Sequence, residues 1–203
     1  MPSLDPTNPE TISLFGPLAL ILIALVWGFA RILYLNKTAG VSVLAVLGRK
    51  RSLVETAAGI VAIVLDVYLL ARPFWPELDT MVALQQHPYM HWGVPLMAFG
   101  ILIAIISQVD MGKSWRIGVP EALEEGQGLV TGGLYQFSRN PIYVGIMIFV
   151  FGALVVAPGP LTLASLVLTW LLVGSIIASE ERFLETEFGE AYHSYKGRVR
   201  RWL

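Results

Sequence analysis

The feature that most constrains this chain is the length of its apolar stretches. A helix needs about 20 apolar residues to cross about 30 Å of hydrocarbon at 1.5 Å per residue. Residues 13–35 form such a stretch, and residues 53–71 and 92–109 form two more, although the second contains Asp66. The sequence therefore predicts three transmembrane helices in its first half.

A longer apolar region runs from residue 141 to residue 178. It is broken only by Ala157-Pro158-Gly159-Pro160, and proline inside a helix removes a backbone hydrogen bond and clashes with the preceding turn. The break predicts a tight hairpin of two spans, 141–157 and 161–178. With 55% hydrophobic and only 14% charged residues, the chain is predicted to be an all-α integral membrane protein of five transmembrane helices.

The positions of lysine and arginine predict the orientation, because cytoplasmic loops carry an excess of both. With five spans and the N-terminus outside, Arg72 alone of the 14 basic residues lies outside. The C-terminus and the two long polar segments, 110–140 and 180–203, then share the cytoplasmic face. No signal-peptide cleavage pattern follows the first apolar stretch, so we expect the first span to be retained.

We interpret residues 1–203 as a single membrane domain without internal repeats. Its first part, 1–109, holds three spans, and its second part, 110–203, holds a polar loop, the helical hairpin and a C-terminal amphipathic helix. The expected location is the plasma (inner) membrane of a bacterium or archaeon. The oligomeric state cannot be read from the sequence.

Composition excludes several classes of function. The net charge of −1 leaves no basic surface for nucleic acid, and the absence of cysteine excludes disulfides, thiolate nucleophiles and zinc–sulfur sites. His87 and His91 are four residues apart, but they enclose Pro88 and have no acidic companion nearby. We therefore expect no metal site.

The polar loop before residue 141 contains four glycines in eight residues, within Glu125 to Tyr135. Glycine permits a positive φ and a close approach of the backbone to a ligand, although such a loop can also simply be flexible. Asn140 before Pro141 has the form of a helix N-cap with proline at the first position, which directs free backbone donors towards the cytoplasm. Tyr143 shares a face with Asn140, either as part of a site or as an interfacial tyrosine.

Two adjacent acids, Glu180 and Glu181, follow the last predicted span. They either mark the end of the span or accept hydrogen bonds from an amine or from hydroxyl groups of a ligand. Beyond them one apolar and aromatic stripe recurs every three or four residues and predicts a helix at the membrane surface: Leu184, Phe188, Tyr192, Tyr195, Val199 and Trp202.

Together these motifs resemble the isoprenylcysteine carboxyl methyltransferases and the related phospholipid methyltransferases. The resemblance covers about residues 110–203 and rests on three segments: Gly133-Leu134-Tyr135, Arg139 to Gly145, and Glu180-Glu181 with the stripe that follows. It implies methyl transfer from S-adenosylmethionine to a lipophilic acceptor in the membrane. The resemblance also implies a cofactor site that contains Gln127, Gly128, Leu129, Val130, Tyr135, Arg139, Asn140, Pro141, Ile142, Tyr143, Glu180 and Glu181.

Methyl transfer from a sulfonium is an in-line displacement that requires alignment and the exclusion of water, so no nucleophilic residue is expected. Trp115 and Arg116 are candidate acceptor contacts or interfacial anchors. Two positions depart from the family: many members have histidine at Asn140, and eukaryotic members have an arginine one turn before the acids, where residues 174–177 read Gly-Ser-Ile-Ile. The acceptor therefore stays open among a phospholipid amine, a small thiol, a quinone-like or terpenoid lipid and a prenylcysteine analogue.

Two other classes of function compete with this interpretation. Asp66 lies within a predicted span, where ionisable groups are costly and usually functional, and it could serve a small transporter or channel. Alternatively, Asp66 could pair with Arg72 or reach water. A non-catalytic membrane assembly factor would keep the same fold without binding an adenosyl ligand.

Overall fold

The computed structural model describes residue 5 and residues 7–39, 52–115 and 128–203. Every regular element in these segments is helical, with no strand. The helices are α1 (Pro9–Ala39), α2 (Leu53–Ala71), α3 (Glu77–Met81), α4 (Gly93–Met111), α5 (Pro141–Val156), α6 (Pro160–Phe188) and α7 (Glu190–Arg198). Short 3-10 turns occupy Met90–Trp92, Gly112–Ser114 and Gly133–Gln136.

Four of these segments are long and apolar enough to cross a membrane: Pro9–Lys37, Leu53–Ala71, Met90–Ser114 and Pro160–Phe188. The fifth predicted span, α5, is apolar throughout but has 16 residues, which makes it about 24 Å long. The prediction of an all-α membrane protein is confirmed in the described residues. The count of five spans and the orientation stay predictions.

The helix boundaries show where hydropathy is a good guide and where it is not. Helix α2 begins and ends at the predicted residues, 53 and 71, whereas α6 continues ten residues beyond its predicted end at 178. The extension contains Glu180, Glu181, Arg182 and Leu184, which all favour helix. The end of an apolar stretch therefore marked the end of the hydrophobic part of α6 and not the end of the helix.

The single C-terminal helix predicted from the aromatic stripe is wrong. Gly189 has φ +48° and separates α6 from the short helix α7, and Val199 is already extended. Glycine takes this left-handed conformation at little cost. Trp202 lies beyond α7 and stacks on Trp170 of α6, with ring centroids 5.1 Å apart, so the tail folds back along α6.

Among the described residues, helices α4 and α5 make the most extensive helix–helix contact, and we call their meeting surface the glycine contact. A Cβ atom added to Gly100 would lie 2.5 Å from the carbonyl oxygen of Gly145, and one added to Gly152 would lie 2.7 Å from the backbone nitrogen of Met97. Gly93 meets Gly152 in the same way. Small residues allow such close packing of helices in a membrane, where lipid and side chains are equally apolar.

A buried ion pair between Arg72 and Asp79 lies at the C-terminal end of α2. This end of α2 is opposite the candidate site. The Arg72 Nε donates to Asp79 Oδ1 at 2.7 Å, and the Tyr68 hydroxyl donates to the same oxygen at 2.9 Å. The pairing of Arg72 with Asp66 is therefore wrong. Six residues along a helix amount to 600°, which puts these two side chains on different faces. Asp66 is half-buried and makes no hydrogen bond or ion pair with any described residue.

Candidate functional site

The polar segment before α5 is held against the end of α4 by one carboxylate. Gly133 starts a 3-10 turn at φ +58°, and the backbone N–H of Leu134 donates to Asp110 Oδ2 at 2.7 Å. A Cβ at position 133 would collide with that carboxylate. Glycine is thus required here by the backbone conformation and by the close approach of Asp110. Sequence analysis placed Asp110 at the start of the polar segment 110–140 and did not identify it as a site residue.

The loop that precedes this turn is tied to the same helix end. The Ser114 hydroxyl lies 3.3 Å from the carbonyl oxygen of Gly128 and 3.4 Å from its nitrogen. Gly128 therefore lies beside the C-terminal end of α4, and Leu129 and Val130 follow it directly. Gln127 and Arg116, two further predicted site residues, lie outside the described part of the chain.

Asn140 and Pro141 begin α5 as the sequence predicts, with proline at the first helical position. The Asn140 side chain, however, does not cap the helix. Its Nδ2 donates to the carbonyl oxygen of Arg201 at 3.0 Å, and the Ser138 hydroxyl donates to the same oxygen at 3.3 Å. The N-cap pattern located the helix start correctly, while the side chain is used to hold the C-terminal tail.

Glu181 is the centre of a cluster that we call the C-terminal clasp, formed by Arg139, Glu181, Arg201 and the backbone of residues 196–201. The Arg139 Nη2 donates to Glu181 Oε1 at 2.8 Å, and Arg201 donates to both carboxylate oxygens. Arg139 also donates through Nη1 to the carbonyl oxygen of Val199 at 2.6 Å. Both oxygens of Glu181 are therefore paired with arginine, and the clasp fixes the tail against the start of α5.

The neighbouring acid, Glu180, is used differently. One residue along a helix is a rotation of about 100°, so Glu180 points away from the clasp and accepts a hydrogen bond from the Tyr143 hydroxyl at 2.8 Å. This contact joins α5 to α6 within the site. The two adjacent acids thus have separate roles, which the sequence alone could not divide between them.

A pocket that is partly open to solvent lies among these elements. Eight predicted residues line it: Gly128, Leu129, Val130, Tyr135, Arg139, Asn140, Glu180 and Glu181. Six lining residues were not predicted as site residues: Met111, Ser114, Leu184, Phe188, Tyr192 and Tyr195. Four of the six belong to the stripe, and their periodicity was read as a face towards the membrane.

Pro141, Ile142 and Tyr143 are not among the lining residues. Tyr143 reaches the pocket through its bond to Glu180, whereas Ile142 packs against Leu35 and Trp115. Trp115 is only 7% exposed in that cluster. It does not line the pocket.

The tyrosines of the pocket stay protonated at physiological pH. Burial raises the pKa of Tyr195 to about 12, and burial together with the charge of Glu180 raises the pKa of Tyr135 further. The Tyr195 hydroxyl donates to the carbonyl oxygen of Tyr135 at 2.7 Å and thereby joins α7 to the turn before α5. The pocket therefore combines neutral hydroxyl groups with apolar walls from α4 and α6, an arrangement suited to binding a ligand with both apolar and polar parts.

Comparison with known proteins gives a consistent result. Residues 89–191 match the phospholipid methyltransferase family model. Protein-S-isoprenylcysteine O-methyltransferase B of Arabidopsis thaliana is 30% identical over 125 residues, which cover 61% of this chain and 64% of the relative. The enzyme of the same name from Homo sapiens is 30% identical over 133 residues, which cover 65% of this chain and 45% of that protein.

A solved structure, that of the eukaryotic intramembrane Ras methyltransferase isoprenylcysteine carboxyl methyltransferase, superposes with a TM-score of 0.68. The superposition covers 95% of this chain and 66% of that chain at 20% sequence identity. The likeness shows a shared fold. The chain spans about two thirds of the length of this structure and less than half of the human relative.

Proposed function

The chain belongs to the phospholipid methyltransferase family, and we propose that it transfers a methyl group from S-adenosylmethionine to a lipophilic acceptor that resides in the membrane. The observation that carries the proposal is the pocket beneath the C-terminal clasp. Each of the three segments on which the family resemblance rests contributes to its walls, and Met111, Ser114 and residues 128–130 complete them. Its mixture of apolar side chains and hydrogen-bonding groups fits an adenosyl ligand.

The pocket residues divide by chemistry into two groups. Met111, Leu184 and Phe188 present apolar surface, which suits a nucleobase. Glu180 offers a carboxylate to the amine or hydroxyl groups of the ligand, and the Tyr143 hydroxyl fixes its orientation. When bound, S-adenosylmethionine supplies an electrophilic methyl group.

Catalysis by this chain would consist of positioning. The described pocket residues supply no cysteine, serine–histidine pair or lysine as a nucleophile, and a displacement at a sulfonium needs none. The chain's tasks are to align the acceptor with the methyl group and to keep water away. An acceptor that is already ionised needs no base, whereas an amine or a hydroxyl group does.

The proposal also covers the routes by which the acceptor and the cofactor reach the pocket. The relatives are named for isoprenylcysteine, and the lipophilic acceptor proposed here would enter laterally from the bilayer. Five spans with the N-terminus outside would place the pocket on the cytoplasmic side, where the cofactor is available. Activity confined to freely soluble acceptors would contradict lateral entry.

The first test is calorimetric binding of S-adenosylhomocysteine to the full chain in detergent. We expect Glu180→Ala to weaken binding by about tenfold, which corresponds to about 1.4 kcal/mol. The matched control is Glu187→Ala, because Glu187 is exposed on the same helix and does not line the pocket. Folded protein that binds no adenosyl ligand, or a loss that is equal in the two variants, would overturn the proposal.

A further inference from the structure

The two tyrosines of α7 differ in one respect that the fold alone does not explain. The Tyr195 hydroxyl is paired with the backbone of Tyr135. The Tyr192 hydroxyl is also buried, yet it has no hydrogen-bond partner among the described residues. Tyr192 is 1% exposed. A buried hydroxyl without a partner costs free energy, so its retention requires a reason.

The position of Tyr192 suggests what that reason is. Two other described side chains, Arg31 and His91, also have a buried nitrogen atom without a partner, but of these three residues only Tyr192 lines the pocket. Among the carboxylates, Glu181 has the strongest electrostatic effect on Tyr192, and its oxygens already accept hydrogen bonds from Arg139 and Arg201. Tyr192 thus lines a cavity and carries a hydroxyl donor that has no acceptor among the described residues.

The lining residues also indicate which end of the pocket Tyr192 occupies. Leu184 and Phe188 stand one and two turns beyond Glu180 on α6, so Phe188 is about 12 Å along the helix from Glu180. Helix α7 then turns back along α6 through Gly189, and Lys196 reaches Glu185 with its Nζ 2.6 Å from Oε1. Tyr192 therefore lines the pocket on the side of the apolar walls of α6.

We propose that Tyr192 is a ligand-binding residue of this pocket, whose hydroxyl donates a hydrogen bond to the adenosyl end of the cofactor. The inference deepens the proposed function and rests on it. Burial raises the pKa of Tyr192 to about 12, so the group is a neutral donor at physiological pH. The acceptor is a ring nitrogen of the nucleobase or an oxygen of the ribose. The hydroxyl is satisfied only when the pocket is filled.

The test uses Tyr192→Phe in the full chain in detergent, with two readouts. First, the thermal unfolding midpoint of the ligand-free variant should be unchanged or higher, since no hydrogen bond is lost. Second, the affinity for S-adenosylhomocysteine should fall by about tenfold, which corresponds to about 1.4 kcal/mol. 5′-Methylthioadenosine, which lacks the amino-acid part, should lose the same factor.

Two further tyrosines serve as matched controls. Tyr195→Phe should lower the unfolding midpoint of the ligand-free protein, because it breaks the bond to Tyr135. Tyr89→Phe should change neither readout, since Tyr89 is exposed and lies outside the pocket.

Each adverse outcome has a distinct meaning. If the wild-type chain binds no adenosyl ligand, the proposed function fails and this inference fails with it. If the wild type and Tyr192→Phe bind equally, the inference alone is wrong. A lower unfolding midpoint in Tyr192→Phe would show a structural role and would also overturn it. A loss seen with S-adenosylhomocysteine but absent with methylthioadenosine would overturn the assignment to the adenosyl end.

Discussion

The glycine contact and the C-terminal clasp both involve α5, yet they hold their parts together by opposite means. In the glycine contact, α4 and α5 touch backbone to backbone, with no side chain between Gly100 and Gly145. In the clasp, long charged side chains of Arg139, Glu181 and Arg201 reach across the space between α5, α6 and the tail. The glycine contact depends on the lack of side-chain atoms between the two helix backbones, and the clasp depends on paired charges.

The difference follows from the surroundings of each region. Within lipid, apolar side chains gain little by leaving one apolar environment for another, so close packing decides which helices associate. At the membrane surface water competes for every charge, and an ion pair persists only where burial and further hydrogen bonds support it. We therefore expect that adding side-chain volume in the glycine contact lowers the stability of the protein. In the clasp, we expect that removing a charge does so.

The largest effect should come from breaking the clasp. Glu181→Gln leaves the Arg139 guanidinium buried without its anion, and the loss of one partner of a buried ion pair typically costs about 3–5 kcal/mol. We expect the lower end of that range, about 3 kcal/mol in the free energy of unfolding, because the Arg201 side chain is 46% exposed and can be solvated. Denaturant unfolding in detergent measures it.

The control for this variant is Glu185→Gln, one turn further along α6. Glu185 pairs with Lys196 at the exposed surface, where ion pairs contribute little. A loss of stability in Glu185→Gln equal to that in Glu181→Gln would contradict the distinction between the buried clasp and an ordinary surface pair.

The next largest effect should come from adding one carbon to the glycine contact. Gly152→Ala places a methyl group against the backbone of Met97 and Gly93, and overpacking of this kind costs about 1–3 kcal/mol. Gly174→Ala on α6 is the matched control, because a Cβ there meets no described atom within 4 Å. It should be neutral or stabilise by up to about 1 kcal/mol. Equal destabilisation of both variants would contradict a packing effect at the glycine contact. It would show an effect on helix propensity or on insertion into the membrane.

A smaller effect is expected where the tail meets α6. Trp202→Leu removes the stacking with Trp170, and aromatic pairs contribute about 0.5–1.5 kcal/mol beyond the area they bury. The expected signs are a modest drop in stability and faster proteolysis of residues 199–203. Trp75→Leu is the control, since Trp75 is exposed and lies far along the chain from the tail. Unchanged proteolysis in Trp202→Leu would show that the clasp alone holds the tail.

The smallest effect should be the interaction between the two regions. Gly152 lies 11 residues, or about 16 Å, from the start of α5, and distant changes add to within about 0.5 kcal/mol. The double variant Glu181→Gln with Gly152→Ala should therefore lose the sum of the two single losses. A deviation above about 1 kcal/mol would show that α5 couples its ends.

The sequence predicted the fold better than it predicted the use of each side chain, and α5 and α6 show why. Pro141 and the proline-rich break at 157–160 mark helix ends through covalent geometry, which acts locally and can be read from the chain. The extension of α6 to Phe188 could not be read from hydropathy, because helix propensity continues after apolar residues end.

In the candidate site too, some features could be predicted from the sequence and others could not. The glycine, the acids and Tyr135 that line the pocket had been predicted as site residues because the family resemblance implied them. The partners of Asn140 and Glu181 could not be found, since Arg201 lies 61 and 20 residues away along the chain and meets them only after the tail folds back. Tyr192 belonged to a periodic stripe, and periodicity alone does not say whether a buried face meets lipid, protein or a cavity.

Helix α6 runs without interruption through 29 residues, a length of about 43 Å. It is anchored beside the hairpin at Pro160 and carries Glu180 about 30 Å away. Spanning helices adjust their tilt to bilayers of different thickness. A change in tilt of about 5° about the Pro160 end would move Glu180 by about 2–3 Å. We therefore expect the dimensions of the pocket to vary with the thickness of the surrounding bilayer.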